Sequence, residues 1–145
     1  MTMFGLCEKK APKKSLGEKA LGAVGRAAIL PIFIVGAKTA LNNADYVGGM
    51  AEESAKKLGI KDLPVDGPTM AKVNAYAQMG LGSALALGIF PKYAAWGLIG
   101  SLIPTTLVGH AFWEKEDKDE KGQEKLQFAK NTAIIGGLLN IATRK

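Results

Sequence analysis

The chain has 145 residues, of which 48% are apolar, 22% are charged and 18 are glycine, with a formal net charge of +6. A single cysteine, Cys7, excludes an internal disulfide framework and a cysteine-rich metal site, and no cleavable signal peptide is recognisable. The charges are unevenly placed, because the 21 residues 93–113 contain no Lys, Arg, Asp or Glu. An uncharged stretch of that length is typical of a helix that crosses a bilayer, so the sequence predicts a membrane protein.

Four apolar segments predict an all-α bundle of four transmembrane helices. The first carries Arg26 and Lys38 near its two ends, where each charge can reach its own membrane interface. The second and third are joined by Pro91-Lys92, a link short enough for an antiparallel hairpin, and the fourth has only 17 residues. The predicted spans are residues 20–41, 70–90, 93–113 and 127–143, with a basic segment at 1–19 and outer loops at 42–69 and 114–126.

Basic residues are concentrated before and at the start of the first span, and this bias sets the predicted orientation. Because an even number of spans places both termini on one side, the positive-inside rule puts both termini in the cytoplasm. A basic cluster next to a span favours contact with anionic lipid over binding of nucleic acid, although the pI is near 9.4. The residues predicted to meet lipid headgroups are Arg26, Lys9, Lys10, Lys13, Lys14 and Lys19.

Small residues recur four positions apart in the spans, as at Gly80 and Ala84 and again at Ala133 and Gly137. In lipid no hydrophobic force drives helices together, so their association depends on close packing, which small residues allow. These faces therefore predict a tightly packed bundle with a thin interior. The charged segment after the third span mixes both signs. It either continues that helix as far as Gly122, or forms a solvated connector or a docking surface.

Four motifs, taken in order, resemble the DoxX family of small bacterial membrane proteins with four spans. They are GRAAILPIFIVGAK, GLGSALALGIFPKYAA, GHAFW and QFAKNTAIIGGLL, and the resemblance extends from about Gly25 to Ala142. The charged insert Glu114–Lys125 is denser than the family pattern leads us to expect. The resemblance implies a link to membrane redox chemistry. One branch of the family is similar to a subunit of a thiosulfate–quinone oxidoreductase, and others associate with sulfur-handling or superoxide-removing enzymes.

Several polar residues fall near the outer ends of the predicted spans. One interpretation is an outward-facing pocket for an anionic or quinone-like molecule, in which two lysines supply charge and the histidine supplies a proton or a hydrogen bond. The other is that these groups satisfy one another or meet headgroups. One histidine and one distant cysteine do not make a metal or haem site. The residues are Lys38, Asn74, Gln78, His110, Lys130 and Asn131.

Three functions fit these expectations. The first is a multi-pass, non-catalytic accessory subunit of a respiratory or redox complex in the bacterial plasma membrane, in contact with other subunits and phospholipids. It would bind no cofactor through its own ligands, although quinone or lipid would fit the pocket. The second is a membrane subunit of a quinone-linked oxidoreductase of the thiosulfate–quinone type. The third, a small transporter, is least favoured because no span carries an acidic residue.

Overall fold

The computed structural model describes residues 13–144, and this part of the chain is helical and contains no strand. The all-α prediction is therefore confirmed. The five α-helices are α1 (Leu16–Asn42), α2 (Ala44–Lys57), α3 (Gly67–Leu87), α4 (Pro91–Gly109) and α5 (Lys118–Thr143), with a short 3₁₀ turn at Phe112–Glu114 between α4 and α5.

Helix α1 is the longest and contains the whole first predicted span. Its start is fixed by a capping box, in which the Ser15 hydroxyl accepts from the Glu18 backbone N–H and the Glu18 carboxylate accepts from the Ser15 N–H at 2.7 Å. Pro31 lies inside the helix without ending it. This arrangement is common in membrane helices, where neighbouring groups compensate for the lost backbone hydrogen bond.

Helix α2 crosses the start of α3 at very close range. A Cβ atom built on Gly48 would lie less than 3.0 Å from backbone atoms of Gly67 and Pro68, so only glycine fits there. The Glu52 carboxylate of α2 accepts from the Gly67 N–H at 2.6 Å and fixes the crossing. The segment 42–69, predicted as an outer loop, thus contains a helix that begins at Ala44 and is held against the bundle.

The first turn of α3 is capped by Asp66, whose carboxylate accepts from the Thr69 backbone N–H at 2.9 Å. That hydrogen bond holds the pKa of Asp66 below its usual value of 3.8. At its other end α3 stops at Gly88, which has φ +74°, and α4 begins at Pro91 after Phe90 with φ +42°. The backbone can reverse in so few residues because glycine adopts the left-handed conformation without steric cost.

The charged segment does not continue α4. The chain leaves the helix at His110, with φ −126°, and forms the 3₁₀ turn before α5 begins. Asp117 caps α5 by accepting from the backbone N–H groups of Asp119 and Glu120, both at 2.9 Å. Gly122 therefore lies inside α5 rather than at the end of a helix that extends from the third span.

The helices pack as a row in the order α1, α3, α4 and α5, with α2 against α3 and α4. One apolar core connects these four helices. Each helix contributes residues to it, among them Phe33, Leu85, Leu98 and Leu138. Gly82 allows α1 to approach, since a Cβ there would lie 3.2 Å from the Cβ of Phe33. The glycines at Gly36, Gly80, Gly136 and Gly137 have no such neighbour within 4 Å, so the expected small-residue faces do not all form contacts within this chain.

Two segments of the described chain are long and apolar enough to cross a membrane, namely α1 and residues 91–114. In α1 only 11% of the most apolar window is buried, which distinguishes it from the core helix of a soluble protein. Large apolar side chains such as Val35, Tyr93 and Trp96 are exposed along these helices. Exposed apolar side chains of this size are expected where lipid is the solvent.

Candidate functional site in the polar layer

A hydrogen-bonded chain of side chains links α3 to α4. Gln78 donates to the Ser101 hydroxyl at 2.9 Å, Ser101 donates to Asn74 Oδ1 at 2.6 Å, and Asn74 donates to Thr105 at 3.2 Å. Each helix contributes two residues that are four apart, so both pairs lie on one face of their helix. Gln78 is only 6% exposed, so its amide depends on this contact. The network therefore sets the register of the two helices.

A second buried hydrogen bond links α4 to α5. Asn131 Nδ2 donates to the Thr106 hydroxyl at 3.0 Å, and that hydroxyl donates to the Leu102 carbonyl at 2.7 Å. Both side chains are buried. In a low-dielectric interior an amide without a partner is costly, and the threonine removes part of that cost for Asn131.

The single histidine lies at the end of α4 and pairs with a carboxylate of α5. His110 Nδ1 is 2.6 Å from Glu124 Oε2, and both side chains are about a quarter exposed. The pair becomes an ion pair when the imidazole is protonated. The arrangement orients the ring and offers a site where a proton can be held near the end of the helix.

An aromatic cluster covers this end of α4 and α5. The rings of Phe112, Trp113 and Phe128 pack edge to face, with centroids 5.1 to 5.9 Å apart. The Lys125 ammonium lies 5.7 Å from the centroid of the Phe112 ring, within cation–π range. Aromatic rings next to charged groups are typical of a membrane–water interface.

The comparison with protein families agrees with this arrangement. The DoxX family model matches residues 21–111, from the second turn of α1 to the end of α4. The chain belongs to the DoxX family. The match covers well over half of the sequence, and it confirms the family that the four motifs indicated. Searches of curated proteins and of solved structures found no significant match. Family membership and the apolar helices together make this DoxX protein a membrane protein, of a kind often associated with redox complexes.

The six polar residues predicted from sequence occupy different environments in this DoxX protein. Asn74 and Gln78 share the α3–α4 network, and Asn131 belongs to the separate contact with Thr106. The other three residues do not join these networks. His110 pairs with Glu124, Lys130 is exposed and donates to Gln127, and Lys38 is exposed on α1.

The partners that complete these contacts were not among the sequence-derived site residues. They are Ser101, Thr105, Thr106 and Glu124. A usable signal exists in the sequence, because the hydroxyls at 101 and 105 have the same four-residue spacing as the amides at 74 and 78. Amide and hydroxyl pairs at equal spacing on adjacent antiparallel helices indicate a mutual hydrogen-bonding network.

On the same side of the molecule as the aromatic cluster, Lys57 holds α2 to the 3₁₀ turn. Its ammonium lies 3.0 Å from Glu114 and 3.2 Å from Glu53. The hydrogen bond to Glu114, followed by that to Glu53, raises the pKa of Lys57 above its usual 10.5. This exposed ion pair is worth little in stability, but it organises a charged surface next to the membrane segment.

Of the residues expected to meet lipid headgroups, Lys9 and Lys10 lie outside the described residues, as does Cys7. Arg26 is half-buried on α1, whereas Lys13, Lys14 and Lys19 are exposed. Within residues 13–144 no group of three or more His, Cys, Asp or Glu side chains is placed to hold a metal ion.

Proposed function

We propose that this DoxX protein is a non-catalytic accessory subunit of a larger respiratory or redox complex in the bacterial plasma membrane. The observation that carries the proposal is the mutual pairing of the buried amides, since Gln78 and Asn131 bond to hydroxyls of adjacent helices. Such groups stabilise the packing of the bundle without requiring a substrate. Family membership supports the redox context.

The proposal includes four spans with both termini in the cytoplasm. α1 and residues 91–114 meet the length and hydropathy required. α3 is about 30 Å long and packs between them, and the last 17 residues of α5 lie along α4, so both would cross the same bilayer. The basic residues at the start of α1 supply the positive-inside bias.

A charged surface is formed by α2, the 3₁₀ turn and the first two turns of α5, and we call it the head. The head is the surface that we propose contacts a partner subunit. The ion pair of Lys57 with Glu114 orders this surface. Exposed charges of both signs suit a polar, specific contact with a neighbouring subunit.

Native isolation tests the assembly. A tagged chain extracted in mild detergent should migrate on a native gel with a much larger complex, and its co-purifying proteins identify the partner. Migration as a small free protein would count against the accessory role. Charge reversal at Lys57 should weaken co-purification, whereas reversal at Lys92, which lies at the opposite end of the bundle, should not.

Topology is tested separately by cysteine labelling, because Cys7 is the only cysteine. In a Cys7→Ser background, a membrane-impermeant thiol reagent added to intact cells should label Lys118→Cys and leave Lys92→Cys unlabelled until the cells are opened. Equal labelling of both positions would contradict the four-span topology.

A quinone-linked catalytic role is the second candidate, and one observation favours it. The His110–Glu124 pair can hold a proton at the membrane interface, which quinone reduction requires. Replacing His110 with Ala and Lys38 with Met should then slow quinone reduction by the intact complex. An unchanged rate in both variants would exclude this role.

A further inference from the structure

A basic cleft opens where the start of α1 lies near the end of α5. It has a volume of about 180 Å³, and the residues that line it are Lys14, Glu18, Lys19, Gly22, Arg26 and Arg144. This volume is below the about 300–1,000 Å³ of pockets that hold drug-sized ligands, so the cleft suits a small group. Four of its six lining residues are cationic and one is acidic.

The single acidic residue offsets only one of the four positive charges. The Glu18 carboxylate is engaged in capping α1, where it accepts from the Ser15 backbone N–H at 2.7 Å. None of the ion pairs found among residues 13–144 includes a residue of this cleft. The cleft therefore carries an excess positive charge that an anion would balance.

Arg26 gives the cleft an incomplete hydrogen-bonding site. Its Nε atom is buried and has no hydrogen-bond partner within residues 13–144. The guanidinium runs back over Gly22 towards the start of the helix, and it also lies against the turn at Gly88. A Cβ at Gly22 would be 3.8 Å from Nη1, and one at Gly88 would be 3.2 Å from Nη2. A buried guanidinium donor without an acceptor is costly, and a rotation of the Arg26 side chain towards an anion in the cleft would give it that acceptor.

The position of the cleft indicates where the anion comes from. It lies at the basic end of α1, along the same turns as exposed apolar side chains such as Leu21 and Val24, which are 74% and 65% exposed. A site at the boundary between basic and apolar surfaces is at the depth of lipid phosphates. Arginine suits a phosphate because its planar donors match two oxygens at once.

We infer that the cleft between the start of α1 and Arg144 binds a phosphate group, carried by an anionic phospholipid or present as free phosphate. Arg26 supplies the directional donors. Lys14, Lys19 and Arg144 supply positive charge around it. This inference does not depend on the partner complex, since it concerns the opposite end of the bundle from the head.

The test measures binding to the purified full chain in detergent. The probes are short-chain phosphatidylglycerol, short-chain phosphatidylcholine and inorganic phosphate. The wild-type protein should bind phosphatidylglycerol well above phosphatidylcholine. Arg26→Gln should weaken binding at least about tenfold, and Arg144→Gln about fivefold. Lys92→Gln, which removes a charge outside the cleft at the same end of the bundle, should leave binding unchanged.

The three probes also separate the sources. Binding of phosphatidylglycerol but not of inorganic phosphate assigns a lipid headgroup. Binding of inorganic phosphate that is lost in the same variants assigns a free anion. Equal binding of the two lipids together with no binding of inorganic phosphate, or equal losses in Arg144→Gln and Lys92→Gln, would overturn the inference. Arg144 is exposed, so its variant keeps the test valid even when Arg26→Gln does not fold.

Discussion

The crossing of α2 over α3 predicts a large stability difference between two neighbouring glycine substitutions. Gly48 is buried against the α3 backbone, whereas Gly49 is exposed and a Cβ there would meet nothing within 4 Å. Both positions lie inside α2, so both substitutions by alanine make the same change in helix propensity. The pair therefore isolates the tertiary contact from the local preference of the backbone.

The magnitude follows from what the new methyl group would touch. In Gly48→Ala it would meet backbone atoms of Gly67 and Pro68, which cannot rotate away as a side chain can, so the helices would separate by on the order of 1 Å. Overpacking of this kind costs about 1–3 kcal/mol, and separation would also lengthen the Glu52–Gly67 hydrogen bond. Gly49→Ala should instead gain about 0.5–1 kcal/mol from reduced backbone entropy in the unfolded state.

The measurement is unfolding of the purified protein in detergent by titration with SDS, followed by circular dichroism. Because the gain from replacing glycine is common to both variants, the free energy of unfolding of Gly48→Ala should lie about 1–3 kcal/mol below that of Gly49→Ala. Equal unfolding midpoints for the two variants would refute the reasoning, because they would mean that α2 does not pack against α3 at Gly48.

Three further results are expected. Thr106→Val should lose about 1–2 kcal/mol of unfolding free energy, because the buried Asn131 amide loses its acceptor. Thr132→Val, at an exposed site of the same bundle, should lose less. Titration with SDS measures both variants. Gly88→Ala should lose about 1 kcal/mol, because its φ is +74°, whereas Gly80→Ala should not be destabilised. Since the folded-state pKa of Asp66 is depressed, the stability that its carboxylate contributes is present above pH 3.8 and is lost as the pH falls through the lower folded-state pKa. Asp66→Asn should therefore remove this part of the acid sensitivity. Unfolding measured between about pH 2 and pH 5 compares the variant with the wild type.

The two candidate membrane segments, α1 and residues 91–114, could be anticipated from sequence because lipid imposes a simple rule on composition. An uncharged run such as residues 93–113 has few alternatives to a membrane helix, and Ser15 with Glu18 marks the start of α1 without any tertiary information. The family could be recognised because the first two motifs lie within the matched residues 21–111.

Helix α2 and the beginning of α5 were harder to predict for physical reasons. The pair Gly48-Gly49 is typical of a turn, and nothing local shows that Gly48 instead allows another helix to approach. In the charged segment, Lys and Glu are good helix formers both before and after Asp117, so sequence alone did not decide whether that segment belongs to α4 or to α5. Asp117 decided it, since its side chain caps α5.

The candidate site shows why polar residues in membrane helices have to be judged by their partners. Gln78 and Asn131 are buried and polar, which makes each of them a functional candidate by default, yet both have a hydroxyl within hydrogen-bonding distance on the next helix. Arg26 is less buried as a residue, but its Nε atom is enclosed without an acceptor among residues 13–144. Because an unpaired enclosed donor carries a cost that a ligand would remove, whereas pairing already reduces that cost for the two amides, the basic cleft is a stronger candidate for binding than the polar layer.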